Sequence, residues 1–573
     1  MMPMNRREFL ERAGNAYLGM AGLDLALHQR SMAASAAKQV KPNIVLIMAD
    51  DSGFSDTAPY GGEIRTPHIA SLAHDGMRFT QFYNAARCVP TRASLLTGLY
   101  NHRAGLGHMM DEVHPPAYLG HLRAQAVTAA EALRAAGYRT AMSGKWHLSH
   151  LHIIGKDQLN FRSLQPFWDT KKSWPVARGF DEFYGTIAGV NNFFDPFSLV
   201  HNETLTKPES EDYYYTDAIN DHAVRMIDRW AAAGEPFFLY VAHAAPHWPL
   251  HALPEDIEKY RGVYDSGWDA MRVARYQRLV AAGVIDPKWP LTPRDRTIPA
   301  WRDAPHQGWQ ARRMAVHAAM VDRMDQGIGR ILKALDRHGA AQHTIVMFLS
   351  DNGASPEVAL PHWYDIPSQT RDGRPLPVTN DPAIMPGAED TWSTFGREWA
   401  NASNTPFRLY KHWIHEGGIA TPFIVRWPSV VQPGGMTHQV AHIIDVLPTL
   451  LEAVGIAHPQ TKNGEPTLAL DGKSLMPVLR GARREGHEVL GWEHEGNEAL
   501  RQDQWKLVRA RGGEWELYDM EADRTELNNL AASERHRVRQ LEARHRAWME
   551  HTGALPWPEY VRIRGQRAGQ AAK

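Results

Sequence analysis

The chain has 573 residues, of which 43% are hydrophobic and 22% are charged, a composition typical of a folded globular protein. Its 63 lysines and arginines nearly balance its 64 aspartates and glutamates, so no strong overall field attracts nucleic acid or an anionic membrane. No apolar stretch approaches the roughly 20 residues that a membrane-spanning helix needs. A single cysteine excludes an internal disulfide and a cysteine-rich metal site.

The N-terminal segment, residues 1–37, has the pattern of a twin-arginine export signal. Arg6 and Arg7 precede a weakly apolar stretch, and the small residues 34–36 offer a cleavage site. Asp24 interrupts the apolar stretch, and a helical or disordered tail is the alternative. We expect a periplasmic or secreted protein that is exported already folded.

Four apolar runs predict buried parallel strands, and each is followed by polar residues that can bind or catalyse. The runs are 43–49 before Asp50-Asp51, 138–142 before Gly144-Lys145-Trp146-His147, 236–242 before His243 with Pro246-His247-Trp248 beyond, and 344–350 before Asp351-Asn352-Gly353. Helical patterns between them, such as 127–136 and 315–335, predict an α/β fold with a large, mostly parallel sheet. Ligands bind beyond the carboxyl ends of such strands, so the four endings together predict one site.

The strand endings supply a set of hard oxygen ligands. Asp50, Asp51, Asp351 and Asn352 suit Ca²⁺, or Mg²⁺, better than Zn²⁺. A cap or tight turn after a strand is the alternative interpretation for each pair. Two adjacent carboxylates are unfavourable without a cation, which favours the metal site.

The only cysteine, Cys88, begins the run Cys-Val-Pro-Thr-Arg, which ends at Arg92 and continues to the sequence Leu-Thr-Gly at 96–98. A free cysteine is most often a small buried hydrophobic residue. Pro90 suits the first turn of a helix, whose positive end would then face any anion bound there. With this Cys-x-Pro-x-Arg pattern the chain resembles the sulfatases, in which the cysteine is oxidised to formylglycine.

The resemblance to sulfatases covers about residues 42–455 and includes the strand-end motifs in the expected order. It implies an alkaline-phosphatase-like fold, in which helices sandwich the large sheet. It also implies a calcium site made by Asp50, Asp51, Asp351 and Asn352 together with residue 88. Relatives that bind two zinc ions usually place a histidine where this chain has Asn352.

The same resemblance implies roles for the remaining motif residues. Oxidation of Cys88 gives an aldehyde, and a hydroxyl of its hydrate would attack sulfur with help from the cation. By analogy His247 protonates the leaving group and His147 acts as the base that restores the aldehyde. The remaining motif cations, Arg92, Lys145 and Lys411, offset the sulfate charge. The alternative for each lysine is a solvated surface residue.

Two segments near these motifs have no clear periodicity of their own. Residues 401–408 are expected to form a loop that folds over the site. The Trp-rich segment 248–309 either lines a pocket for an aryl or sugar ring or forms the internal hydrophobic core of a lid. His317 and Asp325 are expected to be packing or surface residues, and His415 and Glu416, which follow Lys411, are expected to support the site from behind.

We expect a catalytic domain over 41–480 and a smaller C-terminal part over 481–573. Short segments there predict an antiparallel sheet. They are 489–493, 505–508 and 515–518, and a polar helix is predicted at 532–549.

The sequence thus predicts a sulfuric ester hydrolase that acts on a small-molecule or saccharide sulfate monoester, with aryl sulfates as the expected class, after a maturation enzyme has generated formylglycine. A phosphonate or phosphate ester hydrolase of the same superfamily is the nearest alternative. An inactive sulfate- or sugar-binding relative is the second. Such a binding protein has no chemical need for the whole set of Cys88, Arg92, Lys145, His147, His247 and Lys411.

Overall fold

The computed structural model of the protein describes residues 41–113, 115–149, 152–153, 164–165, 170–358, 367, 369–370 and 372–571. The predicted export segment at 1–37 lies outside these residues. Pro42–Lys573 forms one compact unit. No helix in the described part of the chain has both the length and the apolar character needed to cross a bilayer.

A ten-stranded mixed sheet lies at the centre of this unit. Its strands are β1 (Asn43–Ala49), β2 (Met77–Phe79), β3 (Arg139–Lys145), β4 (Glu182–Thr186), β5 (Leu199–His201), β6 (Thr204–Leu205), β7 (Phe237–Ala242), β8 (Thr344–Ser350), β9 (Phe423–Arg426) and β10 (Gly435–Thr437). They lie in the order β10-β2-β9-β8-β1-β7-β3-β4-β5-β6. The stretch from β8 to β4 is parallel throughout and contains all four strands predicted from sequence.

The register of the central strands explains why their polar endings meet. Ala49 pairs with Ser350 across β1 and β8, and Met48 pairs with Ala242 across β1 and β7. These strands are buried on both faces, which is why each is a continuous apolar run and not an alternating one. The residues that follow them therefore emerge together at one edge of the sheet.

Helices pack around this sheet, and the predicted fold class is confirmed. They are α1 (Pro67–His74), α2 (Cys88–Thr97), α3 (Asn101–Ala104), α4 (Ala129–Ala135), α5 (Tyr215–Ala232), α6 (Pro254–Glu258), α7 (Gly267–Ala281), α8 (Gln307–Arg337), α9 (Gly396–Ser403), α10 (Glu416–Ile419), α11 (Val446–Val454), α12 (Met476–Leu479), α13 (Arg535–Thr552) and α14 (Trp557–Ala571). Thr128 and Glu131 form a capping box that starts α4 at its predicted place. Helix α8 begins eight residues before its predicted start at Ala315 and has 31 residues.

A separate four-stranded antiparallel sheet follows, as the sequence predicted. Its strands are β11 (Leu490–His494), β12 (Asn497–Gln502), β13 (Trp505–Arg509) and β14 (Glu516–Asp519). Helix α13 packs on it. The residues after α13 form a further helix, α14, which the sequence analysis did not predict and which has Pro558 in its first turn.

The two irregular segments are more ordered than expected. Residues 401–403 belong to helix α9, and Ser403 accepts a backbone hydrogen bond from Ser55, so the predicted loop is partly helical. Within 248–309, Trp268 packs edge-on against Trp301 at 4.7 Å and against Trp399 at 5.5 Å between ring centroids. These rings form an internal aromatic core, which favours the lid interpretation for this part of the segment.

Candidate active site

The carboxylate residues at the ends of β1 and β8 form one buried cluster. The backbone N–H of Asp51 donates to Asp351 Oδ1 at 3.1 Å, and Asn352 Nδ2 donates to Asp51 Oδ1 at 2.6 Å. Asp51 takes a left-handed backbone conformation with φ 65°, which turns its side chain into the cluster. All four predicted oxygen donors, which include Asp50, are therefore brought together.

The cluster has the chemistry of a divalent cation site. Within the described residues, Asp50 Oδ1 and Asn352 Oδ1 are buried and accept no hydrogen bond. Burial and the nearby Asp50 carboxylate raise the pKa of Asp351 to about 8, so without a cation the cluster retains a proton. An all-oxygen set of three carboxylates and one amide fits Ca²⁺ or Mg²⁺ and would satisfy both orphan oxygens.

Three buried cations surround the carboxylates. Lys145 Nζ lies 2.5 Å from Asp50 Oδ2, and Lys411 Nζ lies 3.0 Å from Asp51 Oδ2. Arg92 Nη2 donates to Asp351 Oδ2 at 2.9 Å. The side chains of Arg92 and Lys145 are 0% exposed and that of Lys411 is 1% exposed, so the interpretation of the two lysines as surface residues is wrong.

Cys88 is the first residue of helix α2 and is only 2% exposed. Burial raises the pKa of its thiol, against the opposing effect of Lys145 and Lys411, which lie within electrostatic range. The unmodified thiol is therefore protonated at neutral pH and is a poor nucleophile. Helix α2 directs its positive N-terminal end at the same point, which favours an anion there.

His247 has a fixed tautomer. Its Nδ1 donates to the Trp248 carbonyl oxygen at 2.5 Å, because a carbonyl can only accept. Its Nε2 faces Lys411 Nζ at 3.4 Å and Asp51 Oδ2 at 3.5 Å. Burial lowers the pKa of His247, while Asp51 acts in the opposite direction.

His147 follows β3 and also has a left-handed backbone, with φ 55°. Burial and the nearby Lys145 hold its pKa well below the usual range, so the ring is neutral. Gly189 packs directly on this ring, since a Cβ there would lie 2.1 Å from His147 Cε1. Any side chain at position 189 would displace the imidazole.

Glu357 is a site residue that the sequence analysis missed. It is buried, and its Oε2 accepts hydrogen bonds from Lys411 Nζ at 3.2 Å and from Trp248 Nε1 at 2.7 Å. The other carboxylate oxygen of Glu357, Oε1, lies 3.2 Å from His412 Nε2. The only signal in the sequence was its place in the loop just after β8.

Other residues near the motifs have structural roles. His317 binds Asp56 at 3.1 Å and stacks on Phe395, while Asp325 accepts the backbone N–H groups that open helix α1. The packing role expected for His317 and Asp325 is confirmed. Glu416 was expected behind the site, but its contacts are with Lys506 at 2.8 Å and other residues that join the C-terminal sheet to the catalytic part.

Comparisons with known proteins agree with this geometry. A family model described as Sulfatase matches residues 42–456, and one described as N-sulphoglucosamine sulphohydrolase, C-terminal, matches residues 407–550. An uncharacterized sulfatase of Schizosaccharomyces pombe is 33% identical over 531 residues, covering 86% of this chain and 91% of the relative. The arylsulfatase of Klebsiella aerogenes is 32% identical over 78% of this chain and 93% of its own length. The solved structure of Ps i-CgsB in complex with k-i-k-neocarrahexaose shares the fold, with a TM-score of 0.63 and 24% identity over 89% of this chain and 92% of that chain.

Proposed function

Because the chain belongs to the sulfatase family, and is therefore a sulfuric ester hydrolase, we propose that it cleaves sulfate monoesters of aryl alcohols. The Klebsiella aerogenes relative named arylsulfatase supports this substrate class. The observation that carries the proposal is the position of Cys88. It lies at a helix N-terminus, within electrostatic range of the buried Lys145 and Lys411 and of the carboxylates of Asp50 and Asp351.

We further propose that Cys88 is oxidised to formylglycine and that the carboxylate cluster binds Ca²⁺, with Mg²⁺ as the alternative. When present, the hydrated aldehyde supplies the attacking hydroxyl, and the cation supplies the charge that lowers the pKa of this hydroxyl. The buried carboxylates that would hold the cation are those of Asp50, Asp51 and Asp351, with the amide oxygen of Asn352 as the fourth donor.

The basic residues have distinct roles in this proposal. Lys145 and Lys411, which pair with Asp50 and Asp51, offset the charge of the sulfate oxygens, while Arg92 connects helix α2 to Asp351. His247 donates a proton from Nε2 to the leaving oxygen. Since its Nδ1 proton is committed to the Trp248 carbonyl, His247 must be an imidazolium to do this, a form that Asp51 at 3.5 Å stabilises although burial lowers the pKa overall. Neutral His147 is suited to accept a proton when sulfate leaves.

An adjacent cleft can hold the alcohol part of the substrate. It has a volume of about 420 Å³ and is bordered by Glu357, Val358, His412 and Trp413. Trp413 and Val358 offer apolar surface for a ring, and Glu357 connects the cleft to Lys411. This arrangement supports an aromatic leaving group next to the sulfate.

The substrate class is tested by comparing kcat/KM for nitrophenyl sulfate and nitrophenyl phosphonate. We expect a large preference for the sulfate. A large preference for the phosphonate would instead establish the phosphonate hydrolase alternative. Activity on neither compound, but on a sulfated sugar, would move the substrate to the saccharide class.

The state of Cys88 is tested by mass spectrometry of the peptide that contains it, from protein made in a host that forms formylglycine. We expect the mass of the aldehyde or its hydrate. A plain thiol in an active enzyme would contradict the proposed nucleophile.

We also propose that the twin-arginine segment exports the protein. Replacing Arg6 and Arg7 by lysine is expected to retain the protein in the cytoplasm, as measured by fractionation of expressing cells. Normal export of that variant would contradict this route.

A further inference from the structure

We infer that the protein has a second metal site, which is rich in nitrogen and suited to Zn²⁺, formed by His108, His494 and Glu495. It is separate in composition from the carboxylate cluster, which contains only oxygen donors. The inference does not depend on the proposed substrate or on the state of Cys88.

The three residues come from distant parts of the chain. His108 lies after helix α3, His494 ends strand β11, and Glu495 occupies the following turn with φ 54°. One ligand atom from each lies within 4.8 Å of the other two. The site would therefore connect the catalytic part of the chain to the C-terminal sheet.

Two of the three donor separations lie close to the value for a tetrahedral zinc ion. Zinc ligands lie about 2.0–2.1 Å from the metal, so their donor atoms are separated by roughly 3.3–3.5 Å. Glu495 Oε1 lies 3.1 Å from His108 Nε2 and 3.7 Å from His494 Nε2. Small movements of the side chains would bring both pairs to the separation that zinc requires.

His494 provides the independent evidence for a ligand. Its side chain is 1% exposed, and within the described residues neither ring nitrogen has a hydrogen-bond partner. A buried polar atom without a partner is unfavourable, because nothing replaces the water it has lost. A metal ion between His494 and Glu495 would satisfy Nε2.

His108 has the hydrogen bonds that a metal-binding histidine usually has on its other nitrogen. Its Nδ1 lies 2.9 Å from the buried hydroxyl of Tyr560 and 3.3 Å from Asp111 Oδ2, and the Tyr560 hydroxyl donates to the same carboxylate at 3.2 Å. These hydrogen bonds favour the tautomer of His108 that has its proton on Nδ1, and its Nε2 lone pair then faces Glu495.

The alternative to a metal is a hydrogen bond in which a proton on His108 Nε2 is donated to Glu495 Oε1. Glu495 also has Arg87 Nη1 at 3.3 Å from Oε1 and His412 Nδ1 at 3.4 Å from Oε2. A purely ionic cluster of these groups predicts no zinc binding. It also leaves His494 without a partner, which is why we favour the metal.

The experiment measures zinc bound to the full-length protein. The protein is stripped with chelator, dialysed against micromolar Zn²⁺ in the presence of excess Ca²⁺, and assayed for metal by mass spectrometry. We expect one zinc per chain in the wild type and in Asp351→Ala, which disables the carboxylate cluster. We expect no retained zinc in His494→Gln or Glu495→Gln.

Matched controls make each outcome decisive. His536→Gln changes an exposed histidine on helix α13 and should retain zinc. Asp111→Asn should weaken zinc binding about 10- to 100-fold by removing the support of His108. If His494→Gln does not fold, Glu495→Gln, in a partly exposed turn, gives the answer. Absence of zinc from the wild type, or equal zinc in Glu495→Gln and wild type, would overturn the inference.

Discussion

Glu357→Gln is the substitution that best tests how the site positions Lys411. The Lys411 ammonium lies between two carboxylates, Asp51 at 3.0 Å and Glu357 at 3.2 Å. Burial works against the charge on Glu357, but Lys411 and His412 hold its pKa well below the usual range, so it is ionised during catalysis. Glutamine keeps the size of the side chain and can still accept from Trp248, but it removes the charge. Lys411 is then held by Asp51 and drawn towards it.

The expected magnitude follows from the lost charged hydrogen bond. Such a bond contributes about 1.5–3 kcal/mol. If that energy positions Lys411 for the transition state, kcat/KM falls about 10- to 150-fold, because each 1.36 kcal/mol is a factor of ten. Lys411 remains protonated, since Asp51 still stabilises its charge, so the alkaline limb of the pH profile should not move into the neutral range.

The assay is steady-state hydrolysis of nitrophenyl sulfate, with the melting temperature measured in parallel. Glu255→Gln makes the same change at an exposed position of helix α6 and should leave kcat/KM unchanged. Glu357→Asp, which keeps the charge, should recover part of the activity. A value of kcat/KM within about twofold of wild type, or a loss that Glu357→Asp shares in full, would refute the positioning role.

Four further predictions follow from the same structure. Cys88→Ala should abolish turnover while leaving the melting temperature nearly unchanged, and residual activity above background would exclude Cys88 as the source of the nucleophile. Asp351→Ala should remove both Ca²⁺ and activity, as measured by metal analysis and hydrolysis; full activity without metal would contradict the cation site. Burial lowers the pKa of His243 to about 3, so the unfolded chain takes up a proton below about pH 6.5 and stability falls by about 1.4 kcal/mol per pH unit as the pH drops. When the pH is lowered from about 7.5 to about 5, the free energy of unfolding measured in urea should therefore fall by about 2 kcal/mol less in His243→Leu than in the wild type. Equal decreases in the two proteins would contradict burial of the neutral ring. Lys506→Met removes the ammonium group 2.8 Å from the buried Glu416 carboxylate and should lower the free energy of unfolding by about 3–5 kcal/mol. A decrease under about 1 kcal/mol would show that the protein tolerates the unbalanced charge of Glu416.

The part of the site that could be predicted from sequence lies at strand ends. Asp50 and Asp351 follow long apolar runs, and parallel strands place their endings at one edge regardless of the details of packing. The fold class follows from the same runs. Such predictions work because one local pattern determines both the element and the position of its last residue.

The residues that were missed depend on packing between distant segments. Glu357 lies in a loop without periodicity, and its role depends on Lys411, which is 54 positions later in the chain. His494 and Glu495 lie in a hairpin of the C-terminal sheet, nearly 400 positions from His108. Nothing in the local sequence indicates that the small sheet docks beside the segment that contains Cys88.

Helix boundaries were missed where tertiary contacts determine them. Residues 401–403 contain Asn and Ser, which favour turns, but Gly53 packs directly against Ser403 and holds the end of helix α9 in place. Helix α14 lacks a strong apolar stripe, yet Tyr560 is buried against His108. In both cases tertiary contacts outweigh weak local preference.

The central position of β1 determines when Cys88 can be reached by another enzyme. Strand β1 is the first strand to be synthesised, but its neighbours are β7 and β8, and Asn43 pairs with Thr344. The sheet cannot close around Cys88 until the ribosome has added about 260 more residues, which takes roughly 13–50 s at 5–20 residues per second. Once the sheet has closed, the cysteine is 2% exposed. The proposed conversion of Cys88 to formylglycine therefore requires access to this segment before the sheet has closed around it.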